Sequence, residues 1–174
     1  MIGTKSEREA KGRTLALLGL FLAALMAASF LIMDSPAYAD ETFTVNRPGD
    51  AKDRKIDGAC DTSLKTGRQC TLRAAIQEAN ATIATDIIRF KIPTSAPNCD
   101  ATTKVCTISP TSALQVTQPT TINGYSQPGA SVNTATTGTN AVLKIVLNGS
   151  KAGTAPGIYV TGSNTTRSWQ HHSE

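Results

Sequence analysis

Residues 70–80 constrain the fold most strongly, because they are the only stretch after residue 39 with a clear helical period. Four apolar side chains recur at i, i+3, i+4 and i+7 and line one helical face: Leu72, Ala75, Ile76 and Ala79. A short helix with one apolar stripe is unstable alone in water. We predict that it caps the open end of a stack of strands, while Arg73 and Glu78 face water. Packing against the face of a single sheet is the alternative.

The rest of the chain after residue 40 is made of short segments rich in β-branched residues, separated by Pro, Gly, Asn and Ser. The predicted strands are 41–46, 86–92, 105–108, 113–116, 120–123, 143–148 and 157–161. This pattern suits a β-sandwich as well as a solenoid. A weak repeat favours the solenoid, because Asn123-Gly124 and Asn148-Gly149 each follow an aliphatic or β-branched pair, 25 residues apart. Asn and Gly tolerate positive φ and therefore suit sharp corners.

Several motifs together resemble one protein family. Cys70-Thr71-Leu72-Arg73-Ala74-Ala75-Ile76 is similar to the Cys-Ser-Leu-Arg-Glu-Ala-Ile (CSLREA) motif of bacterial exported right-handed parallel β-helix proteins. Further similar segments are 57–61, 86–90, 121–130 and 143–149. One departure is Ala74, where the motif has Glu, so an ion pair with Arg73 on the helix surface is lost but the helix is not.

The resemblance implies an all-β fold, namely the N-terminal part of a right-handed parallel β-helix with a short α-helical N-terminal cap. It implies little about activity, because β-helices carry many unrelated functions. The resulting domain prediction is a signal peptide at 1–39, then a strand, a disulfide loop and the capping helix at 40–85. Incomplete β-helix coils would follow at 86–164 and a non-repeat tail at 165–174.

The first 39 residues have the layout of a secretory signal peptide. Basic residues precede an apolar run at 15–33, and Ala37 and Ala39 form a small-x-small site for cleavage before Asp40. The run is 19 residues long, close to the length that spans a bilayer, so an uncleaved anchor is the alternative. We predict cleavage and a bacterial protein that is secreted or at the cell surface.

The charge of the chain argues against a nucleic-acid partner. From residue 40 onward there are 13 Lys and Arg against 10 Asp and Glu, and the basic residues are scattered. Scattered charge is typical of a solvated surface. The expected partners are cell-surface glycans or other envelope components, with membrane contact only through the signal segment if it is uncleaved.

All four cysteines lie in the part predicted to be exported, and an even number favours disulfides. Three connectivities are possible, and we favour the local one, Cys60–Cys70 and Cys99–Cys106. A zinc site is the alternative, but zinc-binding pairs are usually two to four residues apart. The acids of residues 50–61 lack the spacing of a calcium loop. We therefore predict no metal and no cofactor.

No catalytic residues are predicted. Hydrolysis of a glycoside needs a close pair of carboxylates, but the strand region 87–161 contains only Asp100, with Asp86 just before it. The favoured hypothesis is a structural or adhesive, non-catalytic role, with glycan contacts at Asn123, Tyr125 and Tyr159 conceivable. The alternative is the N-terminal fragment of a polysaccharide-active lyase or hydrolase, with the active site in missing coils. A degraded remnant without function is a third hypothesis.

The tail 165–174 has no β pattern and no polar capping element. A solenoid generally needs at least three repeats and a terminal cap. We therefore expect the sequence to be a truncated piece of a longer protein.

Overall fold

The computed structural model describes residues 40–163 and 165–168. Its strands are β1 (Thr42–Val45), β2 (Asp86–Phe90), β3 (Cys106–Ile108), β4 (Leu114–Val116), β5 (Thr120–Asn123), β6 (Ile145–Leu147), β7 (Ile158–Val160) and β8 (Thr166–Ser168). Helix α1 (Leu72–Ala79) lies between β1 and β2 in the chain. Short 3-10 turns follow β5 at Gly124–Ser126 and β6 at Gly149–Lys151.

The predicted signal peptide, including Ala37 and Ala39, lies outside the described residues, and Asp40 is the first residue described. Within residues 40–163 and 165–168, no helix has both the length and the apolar character needed to cross a membrane.

The strands pair in parallel and form three small sheets. The largest has four strands in the order β1-β2-β5-β8, while β3 pairs with β6 and β4 pairs with β7. Alternation places one side of β1, β2 and β5 in the core, since Phe43, Ile88 and Ile122 are all buried. Thr42 and Thr44 on the opposite side of β1 are exposed.

The prediction of an all-β solenoid is wrong. The protein is a mixed α/β fold with short strands in small parallel sheets, and α1 contributes five buried apolar residues to the core. The 25-residue spacing of the Asn-Gly pairs is not a structural repeat. The first pair lies at the end of β5, and the second follows β6, which belongs to another sheet. The two copies therefore do not stack on one another.

The Asn-Gly pairs also have a different local structure from the one predicted. Asn123 and Asn148 are extended, with φ of −105° and −101°, and each begins a 3-10 turn. Neither these Asn residues nor the Gly residues that follow them have positive φ. Paired strands are also separated by unequal lengths of chain, as Thr42 pairs with Ile87 and Ile87 with Thr121.

Helix α1 forms where the sequence predicts it and packs against β1, β2 and β4. Thr71 caps its first turn, since Thr71 Oγ1 accepts a hydrogen bond from Ala74 N at 3.1 Å and donates to Ala51 O at 2.6 Å. Ala74, the residue that departs from the CSLREA motif, is fully buried. The buried set therefore extends around the helix beyond the predicted apolar stripe.

The two predicted disulfides, Cys60–Cys70 and Cys99–Cys106, are confirmed. Cys60 and Cys70 are buried in the core, and they join a long loop to the residue before the helix N-cap. Cys99–Cys106 closes a small loop at the start of β3. Disulfides persist in oxidising compartments, so these bonds indicate an extracellular or other oxidising environment.

Strand β8 lies within the segment predicted to be a non-repeat tail. Its residues Thr166, Arg167 and Ser168 pair with Thr121, Ile122 and Asn123 of β5. The strand was not predicted because it has no apolar residue, and Arg167, which pairs with the buried Ile122, is exposed. It forms because β5 presents a sheet edge to it, not because of its own hydrophobic pattern.

Candidate functional site

The outward side of the four-stranded sheet carries a regular array of polar side chains, which we call the polar face. It consists of two rows that cross neighbouring strands at right angles to the chain direction: Thr44, Arg89 and Asn123 in one row, and Thr42, Ile87, Thr121 and Thr166 in the other. Neighbouring strands are about 4.8 Å apart, so each row is a closely spaced ladder. The polar face therefore combines hydroxyl, guanidinium and amide groups around one aliphatic side chain.

A cleft lies beside the polar face, along the outer edge of β1, and we call it the edge cleft. Its volume is about 830 Å³. β1 and the loop that contains the Cys60–Cys70 disulfide form two of its walls, and residues 91–94, which follow β2, together with Pro128 complete the lining. The lining residues that matter for its chemistry are Glu41, Thr42, Thr44, Gly58, Arg68 and Lys91.

The two ends of the edge cleft carry opposite charges. Glu41 precedes β1 and lies against Gly58, where an added Cβ would be 3.5 Å from Glu41 Oε1. Arg68 and Lys91 lie at the other end, because Asn46 Nδ2 donates to Arg68 O at 2.8 Å and Lys91 N donates to Val45 O at 2.8 Å. The cleft is therefore acidic where β1 begins and basic where β1 ends.

Asn46 fixes the loop wall of the edge cleft to the end of β1. Its Oδ1 accepts a hydrogen bond from Cys70 N at 2.9 Å, and its own N–H donates to Cys70 O at 3.0 Å. Asn46 thus pairs with both backbone groups of Cys70, through its side-chain oxygen and its own backbone N–H, much as a strand residue would.

Glu78 fixes the same loop from the side of the helix. Its two carboxylate oxygens accept hydrogen bonds from Asp57 N at 3.2 Å and from Gly58 N at 2.8 Å. Gly58 has φ of +81°, a conformation that favours glycine. The prediction that Glu78 faces water is wrong, since its residue exposure is only 1%.

Burial raises the pKa of Glu78 above its ordinary value. The hydrogen bonds from Gly58 and Asp57 favour the charged form and oppose this rise, while the negative charges of Asp53 and Asp57 add to it. Folding is therefore more favourable when Glu78 is a neutral acid than when it is a carboxylate.

Arg73 was also predicted to face water, but its side chain is only 12% exposed and forms a bidentate ion pair with Asp50. Asp50 Oδ2 accepts two further hydrogen bonds, from the N–H and the hydroxyl of Thr111, both at 2.8 Å. Arg73 also donates to the carbonyls of Ser112 and Ala113. Burial opposes the charge on Asp50, but the hydrogen bonds from Arg73 and Thr111 outweigh it and hold the pKa of Asp50 below its usual value.

Gln127 continues the sheet beyond the 3-10 turn that ends β5. Its side chain is buried, its Oε1 accepts from Ile92 N at 2.9 Å, and its Nε2 donates to Ile92 O at 2.8 Å. Ser126 performs a similar role one step earlier, because Phe90 N donates to Ser126 Oγ at 2.7 Å.

Asn80 joins α1 to β4 in the same way. Its Nδ2 donates a hydrogen bond to Gln115 O, and its Oδ1 accepts one from Thr117 N.

Sequence reasoning missed these bridging residues because their partners are distant in the chain. A polar residue that follows a strand or helix, such as Asn46 after β1 or Asn80 after α1, is the only local signal, and it is shared by ordinary turns. The partner can be identified only once the fold is known.

The residues considered for glycan contact are only partly brought together. Asn123 ends β5 and Tyr125 follows it in the 3-10 turn, whereas Tyr159 lies on β7 in a different sheet and is 52% exposed.

The two acids considered for catalysis, Asp86 and Asp100, both accept internal hydrogen bonds. Asp86 accepts from Glu41 N, and Asp100 accepts from Thr103 N. Across residues 40–163 and 165–168, no cluster of three or more His, Cys, Asp or Glu side chains could hold a metal ion.

Comparison with protein-family models, with curated proteins and with solved structures finds no match to this chain.

Proposed function

We propose that this protein is exported, that it is secreted or held at the cell surface, and that it has a structural or adhesive role without catalysis. The observation that carries this proposal is the polar face, a ladder of hydroxyl, amide and guanidinium groups built on the four-stranded sheet. Side chains fixed on paired strands lose little conformational freedom when a ligand binds, so such a face suits repeated weak contacts.

The acidic groups support a structural role. Asp50 and Glu78 join loops to α1, and Asp86 accepts hydrogen bonds from Glu41 N and Thr82 Oγ1. The exposed Asp100 stabilises its own turn, because it accepts hydrogen bonds from the N–H groups of Thr102 and Thr103. These carboxylates act as hydrogen-bond acceptors for the chain itself.

The polar face suits neutral glycans of the cell surface as its ligand. Thr and Asn side chains both donate and accept hydrogen bonds, as sugar hydroxyls require, and Arg89 adds further donors. Ile87, half-buried between Thr42 and Thr121, offers an apolar surface for the C–H face of a sugar ring. The row structure would allow one saccharide chain to contact several strands.

The test is a glycan-binding measurement with the full-length, disulfide-bonded protein, its Arg89→Ala and Thr121→Val variants, and Lys151→Ala as a control. Lys151 is an exposed cation outside the polar face. Each polar-face substitution removes hydrogen bonds and should weaken binding by roughly two- to tenfold. Lys151→Ala should leave binding unchanged.

Two results would contradict the proposal. Equal weakening by Lys151→Ala would mean that the contact is a non-specific charge effect. Release of reducing ends from pectin-like or other acidic polysaccharides by the purified protein would show that it is an enzyme.

A further inference from the structure

The outer edge of β1 has backbone groups available for another strand. Ile87 N donates to Glu41 O and Lys91 N donates to Val45 O, both at 2.8 Å, so these carbonyls point towards β2. Backbone groups of alternate residues point to opposite sides of a strand. The N–H and C=O groups of Thr42 and Thr44 therefore point away from β2 and into the edge cleft, and β1 is the outermost strand of its sheet within the described residues.

The same edge is closed at its far end. Asn46 continues the outward-pointing alternation of Thr42 and Thr44, and its N–H donates to Cys70 O at 3.0 Å. This bond shows that the edge accepts a backbone partner. Because the disulfide loop occupies that position, a guest strand in the cleft must end there.

The charges at the two ends of the edge cleft select the direction of the guest. A strand parallel to β1 would have its C-terminal end beside Arg68, with Lys91 at the same end of the cleft but on the β2 side of β1, and its earlier residues beside Glu41. The opposite direction would place a chain terminus with its negative charge near Glu41. Parallel pairing also continues the pattern of the sheet.

We propose that the edge cleft binds the extended C-terminal tail of a partner protein by parallel strand addition to β1. Thr42 and Thr44 supply backbone hydrogen bonds, and Arg68 and Lys91 bind the terminal carboxylate. Strand addition to an exposed sheet edge and capture of a terminal carboxylate are both known modes of peptide recognition. A four-residue strand such as β1 spans about 13 Å, so the site contacts only the last few residues of the tail. The site shares Thr42 and Thr44 with the polar face, but it uses their backbone groups rather than their side chains, so it does not depend on glycan binding there.

The test uses a bead-bound library of short peptides with free C-termini and a matched library with amidated C-termini, both exposed to the full-length, disulfide-bonded protein. We expect retention of the protein on the free-carboxylate beads and at least about tenfold less on the amidated beads, since a charged hydrogen-bonding partner is lost. Equal retention on the two libraries, or none on either, would overturn the proposal.

Substitutions distinguish strand addition from simple charge attraction. Thr44→Pro removes the outward N–H of an edge strand, a position that tolerates proline, and should abolish the preference for free carboxylates. Thr44→Val keeps the N–H and should preserve it. If Thr44→Pro does not fold, the Arg68→Glu and Lys91→Glu variants test the carboxylate site, because both side chains are exposed. Unchanged retention of the Thr44→Pro variant, or of both charge-reversal variants, on the free-carboxylate beads would contradict the proposal.

Discussion

Glu78 is a single buried side chain that joins two parts of the chain distant in sequence. It belongs to α1, but its hydrogen-bond partners, Asp57 N and Gly58 N, belong to the loop that forms one wall of the edge cleft. Its pKa is raised because burial penalises the charged form. The protonation state of Glu78 therefore affects how firmly this loop is held.

We expect the contribution of Glu78 to stability to fall as the pH rises. A carboxyl whose pKa is raised in the folded state stabilises the fold fully below its unfolded-state pKa, which is about 4.3 for Glu in model peptides. That stability is lost as the pH rises through the folded-state pKa. The free energy of unfolding of the wild type relative to Glu78→Gln should therefore decrease from acidic to neutral pH in urea titrations.

Asp50→Asn provides a control of opposite sign. The pKa of Asp50 is lowered in the folded state, so its contribution is present above the unfolded-state pKa and lost as the pH falls through the folded-state pKa. The wild type should therefore gain stability relative to Asp50→Asn as the pH rises. Two profiles that both rise with pH would contradict the assignment for Glu78, and two that both fall would contradict the assignment for Asp50.

The residue scale also shows where sequence reasoning stopped. The helical period identifies which face of α1 is apolar, but not that Arg73 meets Asp50 or that Glu78 meets the loop before the helix. A charged residue beside an apolar stripe is usually solvated. Only the folded chain shows that these two have buried partners.

At the scale of secondary-structure elements, Gln127 replaces a missing stretch of strand. The hydrogen-bond ladder between β2 and β5 ends at Arg89 and Asn123, and the buried amide of Gln127 then pairs with both backbone groups of Ile92. This arrangement lets the chain turn away after β5 without leaving the backbone of Ile92 unpaired.

Gln127→Leu should lower the free energy of unfolding by about 2 kcal/mol or more, because two buried backbone groups lose their partners. Gln115→Leu is the matched control, since Gln115 is an exposed glutamine on β4. Urea unfolding measures the loss, and hydrogen exchange at the amide of Ile92 locates it. An unprotected Ile92 amide in the wild type would contradict the assigned hydrogen bond.

The elements themselves were largely predictable. The alternation of β1 and β2 and the period of α1 locate these elements to within a few residues, because burial of one face imposes the pattern on the sequence. β8 lacks that pattern and was missed, since its pairing with β5 determines its conformation. Short strands at a sheet edge follow their neighbour more than their own composition.

At the scale of the whole molecule, the two disulfides should differ in their contribution. Each closes a short loop, for which the chain-entropy model gives about 2–3 kcal/mol. Cys60 and Cys70 are both buried in the core beside the helix N-terminus, whereas Cys99 is only partly buried. Removal of Cys60–Cys70 therefore also exposes core packing.

We expect the Cys60→Ser/Cys70→Ser variant to lose more stability than the Cys99→Ser/Cys106→Ser variant. Urea unfolding of both variants and of the wild type under non-reducing conditions measures the difference. An equal or larger loss in the Cys99→Ser/Cys106→Ser variant would contradict the role given to core packing, because the Cys99–Cys106 loop is also the shorter of the two.

The arrangement of the sheets was the least predictable level. Two Asn-Gly pairs gave an apparent repeat, but strand partners are chosen by contacts between distant segments, and the loops between them differ in length. The predicted local disulfides were correct because each pair is close in sequence. Sequence spacing therefore identified local contacts and failed for contacts between distant strands.

The order of strands in the largest sheet has a consequence for how the chain assembles. Along β1-β2-β5-β8 the position in the sheet follows the position in the chain, so every strand after the first joins a partner that precedes it. A polypeptide delivered N-terminus first, from a ribosome or through a translocation pore, can build this sheet one strand at a time without waiting for its C-terminal end. Each newly added strand hides the edge left by the previous one and offers a fresh edge to the next.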